Sequence, residues 1–124
     1  MSATNQSFGL LGERVAARWL ARRGWRLLAH RWRIGHRDID LVVEREGVVA
    51  FVEVKARRGS GFGDPTEAVT WRKRRELVRS AHVWIDRHGR PAEGYRFDVV
   101  AVLVEGNRVR IRHVENAFLL PRTT

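Results

Sequence analysis

Ionisable side chains interrupt three stretches that should be apolar. Val48-Val49-Ala50-Phe51-Val52-Glu53-Val54-Lys55-Ala56 is apolar enough to be a central strand, yet it carries an acid and an amine two residues apart. Strand side chains alternate, so Glu53 and Lys55 share a face and address one small volume. A half-exposed strand with its charges in water accounts for most Glu-x-Lys pairs equally well. Asp40 breaks Ile39-Asp40-Leu41-Val42-Val43 in the same way. Glu13 has Leu10, Ala16, Ala17 and Leu20 at i−3, i+3, i+4 and i+7, which points it along a stripe that faces the core. A buried carboxylate there is costly unless it is paired or binds a cation. The helix dipole together with a nearby Arg is the competing way to satisfy it.

The turn between the two apolar runs sets their register. If Glu46-Gly47 form the centre of a two-residue primed turn, Arg45 opposes Val48 and paired residue numbers sum to 93. Asp40 then falls opposite Glu53, and Asp38 opposite Lys55. Like charges directly opposed are destabilising unless a cation lies between them. A three-residue turn without a bulge would put the two acids on different faces. Two strand carboxylates, a third from a helix and a neighbouring Lys suit a hard divalent ion, Mg²⁺ or Mn²⁺. With a phosphodiester substrate, such an ion would polarise the phosphoryl oxygen and acidify a water. The ammonium would orient that water or stabilise developing charge.

The elements that must position these groups follow from pattern. A helix capped near Ser7 runs to about Arg23 and stops at Gly24, with Arg14, Arg18 and Arg22 as a basic stripe. Trp25–Arg33 reads as extended, Asp38–Glu44 and Val48–Ala56 as a hairpin, and Arg57–Gly63 as a mobile basic loop. Asp64-Pro65-Thr66-Glu67 resembles a helix start, with Thr70 as an alternative restart, and the helix ends at His88 before Gly89. Leu77, Val78, Ala81, Trp84 and Ile85 form its apolar face, with Arg72, Arg75 and Arg79 opposite. Two further strands, Tyr95–Glu105 and Arg108–His113, precede a short helix at Asn116–Leu120. The order αβββαββ predicts one domain, residues 1–124, built as a mixed α/β sheet with flanking helices.

Composition narrows the class. The 124 residues carry 24 Lys+Arg against 14 Asp+Glu, a net charge of +10, and no cysteine. Disulfides, cysteine zinc sites and thiol nucleophiles are excluded. No apolar run approaches the ~20 residues of a membrane span, and no secretion signal is evident at Met1, so the expectation is a cytoplasmic protein without a membrane partner. The excess positive charge favours a polyanion, nucleic acid before an anionic membrane. Arg supplies 22 of the 24 basic residues, a skew that genomic base composition would also produce.

Gly12-Glu13, Arg37-Asp38-Ile39-Asp40-Leu41-Val42, Phe51-Val52-Glu53-Val54-Lys55-Ala56-Arg57, Lys73 and Arg96-Phe97-Asp98-Val99-Val100 resemble, in order, the motifs of the YraN family. That family is largely uncharacterised and is regarded as similar to archaeal Holliday junction resolvases in the PD-(D/E)XK nuclease superfamily. The resemblance covers nearly the whole chain. It implies a restriction-endonuclease-like fold, with Asp40 and Glu53 as metal ligands, Glu13 as the additional helix acid and Lys55 as the catalytic lysine. It also implies DNA, branched DNA included, as the partner, and a homodimer by analogy. The chain departs from the family at Arg37-Asp38, where Gly-Glu is usual, so the resemblance assigns Asp38 no role.

Remaining candidates each carry two readings. Lys73 lies in line with Leu77, either reaching the site or a phosphate or snorkelling to the surface. Arg57, Arg58, Arg72, Arg14 and Arg18 are candidates for backbone contact. Asp98 reads as an ion-pair partner rather than a ligand. The five histidines show no HxH or HExxH spacing, His36 lying nearest the acids, and Gly59-Ser60-Gly61-Phe62-Gly63 lacks the Lys-Ser/Thr of a phosphate loop. Tryptophans could stack on exposed bases, although Trp19 and Trp84 fall at core positions. A metal-dependent nuclease-like domain is the leading reading; a non-catalytic nucleic-acid-binding module or subunit is the alternative.

Overall fold

A computed structural model describes residues 5–35, 37–59 and 69–119. The order is α1 (Asn5–Arg22), β1 (Arg26–Ile34), β2 (Arg37–Arg45), β3 (Val48–Arg58), α2 (Trp71–His88), β4 (Gly94–Glu105) and β5 (Arg108–Phe118). The five strands lie in that sequence across one sheet, antiparallel except for β3 and β4. Parallel neighbours need a crossover, and α2 supplies it.

Each sheet face carries one helix. Val49 and Phe51 of β3, with Phe97 and Val99 of β4, pack under Leu77, Ala81 and Trp84 of α2. The alternate residues Ala50, Val52, Val100 and Val102 pack against Ala16 and Leu20 of α1. A central strand buried on both faces must be continuously apolar, which is why β3 reads as it does and why its charges stand out.

Three local devices fix the frame around the acids. Glu46 and Gly47 both take left-handed φ, 52° and 80°, the pair a type I′ turn requires, and the ladder runs from Arg45↔Val48 to Leu41↔Val52. Gly12 lets α1 lie close on β3: a Cβ there would meet Ala56 Cβ at 2.6 Å. Thr70 caps α2, its hydroxyl accepting from the Lys73 backbone N–H at 3.2 Å.

Three expectations need correction, and three more fall outside the described residues. Arg57 and Arg58 end β3 rather than begin a loop, held by the parallel pairing Arg57↔Leu103 and Arg58↔Val104. No helix forms over the described part of Asn116–Leu120. There β5 continues to Phe118, whose ring stacks on Phe97 at 4.4 Å. Leu10 leaves the apolar stripe for the rim of a cleft beside Glu13 and is 39% exposed. The Asp64–Glu67 helix signal, the glycines of the basic loop beyond Gly59, and His36 lie outside the described residues. Among the described residues no helix is long and apolar enough to cross a membrane.

Candidate active site

The β2–β3 ladder stops at Leu41↔Val52, and the expected pairing of Asp40 with Glu53 is not formed in it: Ile39 and Val42 pack on the same face of the sheet, so strict alternation breaks between them. There the Asp40 side chain replaces the backbone as acceptor, its Oδ2 taking the Val54 N–H at 2.8 Å. Glu53 is buried, 8% exposed, on the face that α2 covers. Leu77 anchors α2 to that face, and Lys73, one turn earlier, ion-pairs with Glu53 Oε1. The reach of Lys73 into the site, left open by its helical position, is thus resolved in favour of contact with the acid.

Asp40 is the electrostatically unusual group. Burial pushes its carboxyl up to about 8, and the charge of Glu53, then that of Glu13, adds to the shift. The Val54 N–H and the Lys73 ammonium oppose it without prevailing. Acids from β3 and α1 therefore both act on Asp40 of β2.

Glu13 is the most firmly held of the three. Its Oε2 accepts from Arg31 Nη2 at 3.0 Å, and its Oε1 lies 3.0 Å from Arg31 Nε and 2.9 Å from His30 Nε2. Arg31 reaches it from a left-handed backbone, φ 51°, in the middle of β1. Such a conformation in a long side chain within a strand persists only where surrounding contacts impose it. The Glu13 hydrogen bond is the main reason the guanidinium pKa is raised, with Asp40 and Asp38 adding to it. No sequence pattern reveals a positive φ at Arg31, so neither Arg31 nor His30 could be read as a site residue in advance.

The remaining candidates divide. Lys55 follows Glu53 by two residues on β3, which sends it to the same face, and it is half-buried. Asp38 pairs with Arg33 across β1–β2, the Arg33 Nε lying 3.4 Å from its Oδ1; among the described residues that oxygen, though buried, has no hydrogen bond. Arg14, Arg18, Arg57, Arg58 and Arg72 are all exposed, on α1, the end of β3 and the start of α2. Asp98 stands apart from the acids of β2 and β3 as an ion-pair partner. Its oxygens accept from Arg96 Nε and Nη2 at 3.0 and 3.1 Å and from the Asn116 N–H at 3.0 Å, with His113 Nε2 at 2.7 Å.

The donor set can be tested against a hard cation. Mg²⁺ is commonly held by one or two carboxylates, with water or substrate phosphate completing its shell. Asp40 and Glu53 supply two such groups, and among the described residues no guanidinium donates a hydrogen bond to Asp40, so these residues fit. Among the described residues no three His, Cys, Asp or Glu side chains form a group that could hold a metal ion, so the expected third ligand, Glu13, does not join Asp40 and Glu53.

The αβββαββ order, the mixed five-stranded sheet and its two opposed helices define a restriction-endonuclease-like α/β domain. Residues 12–102 match the model of the Uncharacterised protein family UPF0102, and the chain belongs to that family, the YraN family of the sequence reading. A UPF0102 protein of Nocardia farcinica is 43% identical over 91% of this chain and 90% of its own length. One from Bifidobacterium longum is 42% identical over 93% and 95%, and one from Syntrophomonas wolfei 40% identical over 92% and 99%. The matched span includes Glu13, Asp40, Glu53, Lys55 and Lys73.

Proposed function

We propose that this protein is a metal-dependent nuclease-like domain that binds DNA, branched DNA included, and hydrolyses phosphodiester bonds. The carrying observation is Asp40: a carboxyl raised to about 8, beside buried Glu53, in a chain of net charge +10. Such a carboxyl keeps its proton at neutral pH and would give it up to a bound cation, and a phosphodiester substrate would bring its own need for that cation. Asp40 and Glu53 would hold Mg²⁺ or Mn²⁺, which when bound would polarise the phosphoryl oxygen and acidify a water. Lys55 would orient the attacking water or stabilise charge on the phosphate, and Lys73 would hold Glu53 in place. Glu13, engaged by Arg31 and His30, would add negative potential and fix Arg31 beside the site. The exposed Arg14, Arg18, Arg57, Arg58 and Arg72 would bind backbone phosphates, with affinity falling steeply as salt rises.

One observation favours a second reading. Glu13 and Glu53 already have cationic partners, as they would in a non-catalytic DNA-binding module. Purified protein incubated with duplex, single-stranded and four-way-junction DNA, with Mg²⁺, Mn²⁺ or EDTA, separates the two. Scission that requires metal and is lost in Asp40→Ala and Lys55→Ala supports the enzyme; salt-sensitive binding without scission supports the module.

A further inference from the structure

The start of α2 carries an unusual surface. Trp71 is 79% exposed and Leu119, just past β5, 77% exposed. Between them lies a groove of about 580 Å³, lined by Trp71, Arg74, Arg75, Val78, Phe118 and Leu119. Arg74 is set among its rings: the guanidinium carbon stands 5.4 Å from the Trp71 ring centre and 5.2 Å from that of Phe118, and its Nε donates to the Val69 carbonyl at 3.0 Å. Arg75, also in the lining, is exposed, as is Arg72 next to Trp71 in the chain.

The groove adjoins the candidate site. Phe118 forms a wall of both the groove and the space beside Glu53, and Lys73, two residues after Trp71, pairs with Glu53. Its chemistry is mixed in a particular way: an apolar floor with aromatic faces, rimmed by guanidinium groups and, among the described residues, without an acid in its lining. A second copy of this chain seated face to face would set arginines against arginines. An unstacked nucleobase offers a flat apolar face to the rings while its phosphates meet the arginines, which is how single-stranded nucleic acid is held on aromatic platforms.

We infer that the Trp71–Arg74–Phe118 groove is a stacking platform for an unpaired base next to the candidate active site. The inference rests on the nucleic-acid reading above and names the substrate class: DNA with unpaired nucleotides near the reacting phosphate, rather than continuous duplex.

Fluorescence anisotropy with labelled oligo-dT, an abasic strand of the same length and a duplex of the same length tests it. Trp71→Ala should weaken oligo-dT binding about tenfold. Trp71→Phe should restore most of that loss, and duplex binding should change less than about twofold, since phosphate contacts supply it. The unmodified protein should bind the abasic strand as weakly as Trp71→Ala binds oligo-dT. Equal losses on duplex and single strand, or abasic and oligo-dT strands bound alike, would overturn the platform alone. So would a dimer-to-monomer change in sedimentation with Trp71→Ala and no effect on oligo-dT. Failure of the unmodified protein to bind any of the three would overturn the platform together with the nucleic-acid reading.

Discussion

Asp98 and Asp40 are both acids withdrawn from water by the same sheet, and they respond in opposite ways. Asp98 on β4 is 1% exposed, and burial alone would raise its pKa. His113, the Asn116 N–H and the Arg96 guanidinium reverse that and hold the carboxyl below its ordinary range. Asp40 on β2 is less deeply buried, yet burial together with the charges of Glu53 and Glu13 outweighs the Val54 N–H and the Lys73 ammonium, and its pKa rises to about 8. The difference lies in partners rather than burial. A carboxylate with fixed donors around it is part of the architecture, whereas one facing other acids is stable as a charge only if something mobile neutralises it.

Asp98→Ala should have the largest effect. It leaves His113, 8% exposed, without its carboxylate and Arg96, 21% exposed, with only the half-exposed Glu115 at 3.5 Å, and the loss of one partner from a buried cluster costs about 3–5 kcal/mol in denaturant or thermal unfolding. Because the folded pKa lies below the unfolded value of 3.8, the charge-dependent stabilisation is complete above that value and fades as pH falls through the folded one. The gap between variant and parent should therefore narrow in acid.

Asp40→Asn should behave in the reverse manner in metal-free buffer. The folded pKa of about 8 exceeds the unfolded 3.8, so the contribution of this carboxyl is fully present below 3.8 and lost as pH rises through 8. The variant, which never ionises, should match the parent near pH 4 and exceed it by on the order of a few kcal/mol at pH 9. Saturating Mg²⁺ should shrink that advantage. An advantage independent of pH would break the contrast between the two acids.

Much of this frame was legible because local rules agree with tertiary ones. Glu46-Gly47 demanded a primed turn, and the turn demanded the register that runs from Arg45↔Val48 to Leu41↔Val52; the pairing of Asp40 with Glu53 one step further is not formed. Asp98 was read as an ion-pair partner, and its bonds to Arg96 and His113 bear this out. The illegible parts depend on distant contacts. Asn116 has the left-handed φ, 52°, that helix and turn ends favour, but its N–H serves Asp98 and the chain continues as strand to stack Phe118 on Phe97. Arg31 carries no mark in the sequence, since its conformation follows from Glu13, which lies 18 residues earlier on a different element. Lys55 and the metal it would serve remain an expectation of spacing and family resemblance.

The Asp40 carboxyl itself can be followed by carbon-detected NMR across pH, with and without Mg²⁺. The account predicts a midpoint near 8 in metal-free protein and a clear downward displacement when the ion is present, because cation and proton compete for the same oxygens. A midpoint near 4 that ignores Mg²⁺ would contradict it.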